Sequence, residues 1–382
     1  MKRAFLCTSL VLLAACKTTP DYNAALLDGA PALIPLGPKE KAPDIGSQWE
    51  RRDELLPALD QSLAWTRRGH AQQFFPIAGI DHDRALRSLE RMRELLETSY
   101  GPEDFKKSVE REFQVFKSAG WNGKGGGVLF TAYCTPILAG SLQPDERFRY
   151  PLYALPKDLV KGRDGGVIGW DTPSGRKPQY PTRAVIEASG MLKGQELVWL
   201  SSPTDAYLAH VNGSAFVELG DGTLYKVGYA GSNDRGYTSL GKELEADGKI
   251  AAGEASLGTI RAWAAAASEA ELHDYLNRNQ RYVFFTPIEG NPHGSLDVEV
   301  TGGCTLATDK TLFPRGALVF VEGPKEDDVA NRFLLDQDTG GAIRTAGRAD
   351  IYLGVGPEAE ERAGRTRIEG QLYYYFLKSG LE

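Results

Sequence analysis

Two aspartates near the C-terminus, Asp338 and Asp350, stand twelve positions apart across the turn-forming run Thr339-Gly340-Gly341-Ala342-Ile343. Ala349, Ile351 and Tyr352 give the second a partly apolar setting. A third, Asp309, precedes a Pro314-x-Gly316 turn and the strand-like run Ala317-Leu318-Val319-Phe320-Val321, so three aspartates fall within 42 residues. Carboxyl groups gathered in such a setting are equipped for general acid/base chemistry, because burial lifts one of them towards neutrality. Gly340 and Gly341 either take backbone angles closed to other residues or let a ligand approach the main chain. An isolated Asp-x-Gly-Gly is ordinarily a surface turn, and Asp309 alone reads as a structural or auxiliary turn residue. The grouping of all three is what points to chemistry.

The elements that must hold these carboxyls are mostly strands. Residues 50–118 read as helical, with Leu55, Leu56, Leu59, Leu63 and Trp65, then Leu86, Leu89, Met92, Leu95 and Leu96, at roughly helical spacing. Short β-branched and aromatic runs follow at 127–133, 197–200, 207–211, 215–219 and 223–229. Gly220-Asp221-Gly222 between the last two reads as a hairpin turn. A helical interlude is expected over 238–278, with Ser268-x-x-Glu271 as a capping box. Strands resume at 281–286, 296–301, 317–322, 332–336, 350–353 and 371–377. The fold class is mainly β with flanking helices.

At the other end, Lys2 and Arg3 precede a short apolar run and the sequence Leu13-Ala14-Ala15-Cys16. The run is too short to span a membrane. It resembles a bacterial lipoprotein signal over residues 1–15, with Cys16 as the lipidated first residue and a membrane anchor. Lys17 in place of an aspartate fits delivery to the periplasmic face of the outer membrane. Residues 16–48 then read as a tether with little core of its own. Loss of Lys2 and Arg3 takes the formal charge from −7 to −9, which disfavours nucleic acid as a partner. His70, His82, His210, His273 and His293 are scattered without ligand-like spacing, so neither a metal nor a cofactor is expected. Cys134 and Cys304 remain in an oxidising compartment, and both a disulfide and two free thiols are open.

Further motifs occur in order along the chain. They are Phe130-Thr-Ala-Tyr-Cys-Thr-Pro136, Tyr150-Pro-Leu-Tyr153 and Thr182-Arg-Ala-Val-Ile-Glu187, then Gly228-Tyr-Ala-Gly-Ser-Asn233, Tyr237-Thr-Ser-Leu-Gly241 and Asn279-Gln-Arg-Tyr-Val-Phe-Phe285. Ile351-Tyr-Leu-Gly-Val-Gly-Pro-Glu-Ala359 closes the series. With the three aspartates, this set resembles the MltA family of membrane-bound lytic murein transglycosylases over roughly residues 50–380.

The resemblance implies a discontinuous double-psi β-barrel built from 49–135 and 236–382, with a second β-domain inserted at 136–235 and a glycan groove between them. It implies lytic cleavage of peptidoglycan glycan strands, with one carboxyl acting as acid and then base to leave a 1,6-anhydromuramic end. Asp350 matches the catalytic aspartate, Asp338 a supporting one and Asp309 the third. Thr131 and Tyr133 match a stretch placed to contact Asp350 or the sugar, and Gly340, Gly341 and Ala342 are small where a ring would pass. Association with cell-wall synthesis or hydrolysis enzymes is a further expectation. The chain departs from the family pattern at Ala132, Cys134, Asn212–Phe216 and Asp234, which bear on glycan contacts away from the scissile bond. Two other readings stay open: a two-carboxylate hydrolase with Asp338 activating water, and a murein-binding lipoprotein without catalysis.

Overall fold

The computed structural model describes residues 19–162 and 166–380, so the signal segment and Cys16 lie outside the described residues. Strand β1 (Leu33–Pro35) is followed by helices α1 (Arg52–Thr66), α2 (His82–Thr98) and α3 (Pro102–Glu112), then strands β2 (Phe113–Ser118) and β3 (Val128–Thr135). The middle of the chain holds β4 (Ile137–Ser141), β5 (Tyr150–Tyr153), β6 (Leu159–Lys161), β7 (Val167–Thr172), β8 (Gly175–Lys177), α4 (Arg183–Ser189) and β9 (Glu196–Leu200). It continues through α5 (Pro203–Asn212), β10 (Ala215–Glu218), β11 (Leu224–Ser232), three helices α6 (Leu240–Ala246), α7 (Leu257–Ala266) and α8 (Glu269–Arg278), and β12 (Val283–Pro287). The last part is β13 (Thr305–Ala307), β14 (Leu318–Glu322), β15 (Arg332–Asp338), β16 (Arg348–Val355), α9 (Pro357–Arg365) and β17 (Ile368–Leu377). Among the described residues no helix is long and apolar enough to cross a membrane.

Six strands close on themselves in the order β17, β14, β15, β13, β16, β3, with β3 returning to pair with β17. β2 and β1 extend this sheet from β17. The closure accounts for the unbroken apolar runs at its centre. On β14, β15 and β17, Val319, Val321, Leu334, Leu372, Tyr374 and Phe376 fill one core, while Leu318, Phe320, Phe333, Leu335, Tyr373 and Tyr375 fill another against Leu59, Leu89, Met92 and Phe105 of α1–α3. Alternate side chains therefore enter different cores, and both faces demand apolar residues. Gly370 marks a close approach. A Cβ there would stand 1.9 Å from the Glu322 carbonyl oxygen, where β17 lies between β14 and β3.

The second sheet has the order β12, β11, β10, β4, β9, β5 around Leu138, Leu152, Val198, Leu200, Val217, Val227 and Phe285. Its β10–β11 hairpin turns at Gly220-Asp221-Gly222, where Asp221 Oδ1 accepts from the Thr223 amide at 2.9 Å. Because β12 pairs with β11, the chain stays with this sheet to Pro287, beyond the boundary expected at 235. β6, β7 and β8 form a small third sheet.

The chain passes from β3 to β4 through Pro136 alone, with no loop. Thr135 sits at the crossing, fully buried. Its hydroxyl lies 3.0 Å from Ser214 Oγ in the second unit and 2.9 Å from the Tyr352 hydroxyl on β16. Arg261 on α7 makes a second tie, pairing with Asp205 on α5 and Glu360 on α9.

Five expectations change. Residues 207–211, expected as strand, lie in α5. Ser202 caps that helix by accepting from the Thr204 and Asp205 amides, Pro203 occupies its first turn, and Gly213 at φ +75° ends it. Residues 113–118, expected as helix, are β2, and 296–301 form no strand beyond a bridge from Glu299 to His293. The segment expected as a tether packs onto the barrel: Tyr22, Ala32, Leu33 and Ile45 are buried, Ala32 and Leu33 in one barrel core and Ile45 in the other, and β1 pairs with β2 in antiparallel register. These apolar residues are spaced too widely for a periodic signal, and the packing comes from the sheet they join. Ser268 caps α8 through the Glu271 amide, whereas the reciprocal capping box is at Ser256 and Thr259 on α7.

Candidate active site

Asp350 on β16 lies in register with Thr131 on the parallel neighbour β3. Phe130 and Ile351 pack into the barrel core, so Thr131 and Asp350 project from the opposite face. The Thr131 hydroxyl donates to Asp350 Oδ1 at 2.9 Å, and Arg348 Nη2 donates to the same hydroxyl oxygen at 3.2 Å. Two residues along β3, the Tyr133 hydroxyl donates to Asp338 Oδ2 at 2.7 Å. Asp338 Oδ1 accepts from the Thr339 and Ser295 amides, each at 2.8 Å. Tyr352 packs against Tyr133 with ring centroids 5.1 Å apart.

The two carboxyls are held differently. Burial pushes Asp350 from 3.8 up to about 6; the Thr131 bond and the Arg348 charge pull it down, and Asp338 pushes it up. Burial also raises Asp338, against the pull of Tyr133, Thr339, Ser295 and the nearby Lys310. No described residue donates to Asp350 Oδ2, whereas both oxygens of Asp338 are engaged.

Asp350, Thr131, Tyr133, Asp338, Gly340, Gly341 and Ala342 line one cavity of about 350 Å³, with Tyr237 and Asn212 opposite. A neighbouring cavity of about 480 Å³ shares Tyr133, Asp338, Gly340, Gly341 and Asn212, and adds Tyr229, His293 and Arg344. Asp309 lines neither. It closes a turn, its Oδ1 accepting from the Thr311 amide at 3.0 Å and hydroxyl at 2.7 Å. Gly340 and Gly341 do not use the left-handed angles open to glycine. Space restricts them instead: an added Cβ would meet Ile343 at 3.1 Å or Tyr237 at 3.4 Å.

Of the positions that depart from the family pattern, Ala132, Cys134 and Asn212 reach the first cavity, while Phe216 is buried away from it. Cys134 and Cys304 are both free and buried. Burial raises the Cys134 thiol to about 12, and Cys304 packs with α1.

Sequence reasoning missed three contributors. Arg348 and Tyr237 both reach the surroundings of Asp350, and Tyr237 stood unused at the head of a quoted motif. Below the site, Asp336 accepts from Thr308 and from Tyr374 at 2.8 Å and pairs with the buried Lys310. Asp336 and Asp338 stand two apart on β15, but the register shifts between the pairs Leu306–Asp336 and Ala307–Asp338, so Asp336 bonds Tyr374 in the barrel core while Asp338 bonds Tyr133 at the site.

Comparison with known proteins fits this architecture. Residues 129–286 match the MltA specific insert domain and 304–375 the 3D domain. The membrane-bound lytic murein transglycosylase A of Escherichia coli K12 is 31% identical over 276 residues, which cover 69% of this chain and 70% of the relative. That of Vibrio cholerae is 34% identical over 274 residues, covering 69% and 68%. The crystal structure of a membrane-bound lytic murein transglycosylase from Agrobacterium tumefaciens superposes with a TM-score of 0.75 at 26% identity, over 91% of this chain and 98% of that one. Escherichia coli MltA with bound chitohexaose shares the fold at a TM-score of 0.66 and 24% identity, over 93% and 96% of the two chains. The fold is that of a lytic transglycosylase, and the protein is an enzyme of that class. The chain belongs to the membrane-bound lytic murein transglycosylase A family.

Proposed function

We propose that the protein cleaves the β-1,4 bond between N-acetylmuramic acid and N-acetylglucosamine in peptidoglycan, leaving 1,6-anhydromuramic ends. Asp350 first protonates the departing glycosidic oxygen. Its carboxylate then takes the proton of the muramyl C6 hydroxyl as that oxygen closes on the anomeric carbon. The asymmetry of the two carboxyls carries this reading. Asp350 keeps one oxygen without a protein donor and a pKa of about 6. Asp338 is committed to Tyr133 and two amides, which leaves it poorly placed to activate water for a two-carboxylate hydrolase.

In this scheme Asp338 fixes Tyr133 and the Thr339–Ala342 loop, and the Tyr133 ring offers its face to a sugar. Gly340, Gly341 and Ala342 let a pyranose pass close to the backbone, while Asp309 keeps its turn. The closed six-stranded ring supports a double-psi barrel, interrupted by an insert that runs from 136 to about Pro287. The adjoining cavities support a glycan groove between the two units. Lipidation at Cys16 would hold the enzyme at the periplasmic face of the outer membrane, within reach of cell-wall synthesis or hydrolysis enzymes.

Mass spectrometry of murein digested by a form beginning after Cys16 tests the chemistry. Fragments lighter by one water than hydrolysed muropeptides are expected. Full-mass reducing ends would make the enzyme a hydrolase, and murein binding without fragments would make the protein an adaptor. Asp350→Asn is expected to abolish turnover while keeping murein binding.

A further inference from the structure

We propose that Arg348 is a positioning residue that selects which oxygen of Asp350 carries the transferable proton, acting through the Thr131 hydroxyl. The inference rests on Asp350 being the acid and base. Arg348 and Asp350 lie two apart on β16 and project from the same face. Among the described residues no ion pair joins them; the link runs from Arg348 Nη2 to Thr131 Oγ1 and from there to Asp350 Oδ1, at 3.2 and 2.9 Å.

The polarity of this relay is fixed by the chemistry of its members. A guanidinium only donates, so Thr131 must accept from it. A hydroxyl has one proton and two lone pairs; with Arg348 on one lone pair and its positive charge alongside, donation of that proton to Asp350 Oδ1 is favoured over acceptance of a second bond. Oδ1 is thus an acceptor whether or not the carboxyl is protonated. The acid's proton resides on Oδ2, the oxygen to which no described residue donates. Without Arg348 the hydroxyl is free to turn and accept from Oδ1–H, and the acid divides between two tautomers.

Among the described residues Arg348 makes no other side-chain hydrogen bond, and its buried Nε has no partner there. Such a guanidinium is costly to bury, which argues for a task other than stability. The other charged or titratable groups around the relay are Asp338 on β15, Tyr133 on β3, Tyr237 ahead of α6 and Arg367 ahead of β17.

The test is the pH dependence of murein cleavage by Arg348→Met, Arg348→Lys, Thr131→Val and the Arg348→Met/Thr131→Val double variant. Arg348→Met is expected to lower kcat about tenfold with KM nearly unchanged, and to move the alkaline limb of kcat/KM up by about half to one pH unit. Thr131→Val is expected to do the same, and the double variant to lose little more than either single one. Arg348→Lys, which restores a donor, recovers part of the loss. An unmoved limb with unchanged kcat, or losses that multiply in the double variant, overturns the relay. Should Arg348→Met fail to fold, Thr131→Val against Thr131→Ser carries the test, with recovery by Ser expected and equal loss overturning it. Asp350→Asn separates the two readings. If it stays active, the acid assignment fails; if it is inactive while Arg348→Met behaves as wild type, only the relay fails.

Discussion

With its carboxyl pushed to about 6 from 3.8, Asp350 keeps its proton in the folded chain over a pH range where the unfolded chain has lost it. Stability contributed by this group is therefore fully present below the usual carboxylate range and is lost as pH rises through about 6. Asp350→Asn should remove that slope and stabilise the protein by about 1–2 kcal/mol at pH 8, after discounting for its partial exposure. Denaturant melts at pH 4 and pH 8 check this, and equal midpoint changes at both values would refute it. On the proposed mechanism the same property would oppose cleavage at high pH, since the acid step needs the proton. The spacing of Asp338 and Asp350 was legible in the sequence, whereas a Thr131 hydroxyl within reach of Asp350 was expected only through the family resemblance. Arg348 and Lys310 were not legible, because a lone cation in a strand or a turn reads as a solvated side chain until its neighbours in space are known.

Among the elements, strands buried on both faces were the easiest to find. Leu318–Val321 and the stretch Leu372–Leu377 read as unbroken hydrophobic runs because successive side chains serve different cores. Short strands such as β6, β8 and β13 escaped, being three residues each and set by pairing instead of composition. In α5, Tyr207, Leu208 and Val211 look like a strand until Ser202, Pro203 and Gly213 are weighed as start and stop signals. Packing between strands sets a sharper limit at Gly370. A methyl group there would collide with the Glu322 backbone, so Gly370→Ala should cost about 2–4 kcal/mol. Chemical denaturation checks this, and a loss below about 1 kcal/mol would mean that β17 shifts freely.

At the scale of the whole molecule, a division into two units with a boundary near 235 was an expectation of the family resemblance alone. In the structure β12 returns to the second sheet after three helices, a pairing that no local pattern announces. Periodicity reports local structure, and it carries no information on which distant strand an edge will meet. At the β3–β4 crossing the units are tied through the Thr135 side chain, with Arg261 as a second tie elsewhere. Thr135→Val keeps the volume but removes the hydroxyl between Ser214 and Tyr352, and should cost about 1–3 kcal/mol. Thermal melts of this variant and of Ser214→Ala check it, and an unchanged melting point in both would show that the joint does not depend on this hydroxyl.

β3 and β4 act as a continuous splint across both units, with Thr131, Tyr133 and the Thr135 pin on a single length of backbone. Tilting one unit against the other must bend that splint or slide it along its length. Were a glycan to lie across both halves as proposed, its strain would be carried to the strand that bonds both carboxyls, and the two units would respond as one lever instead of two jaws.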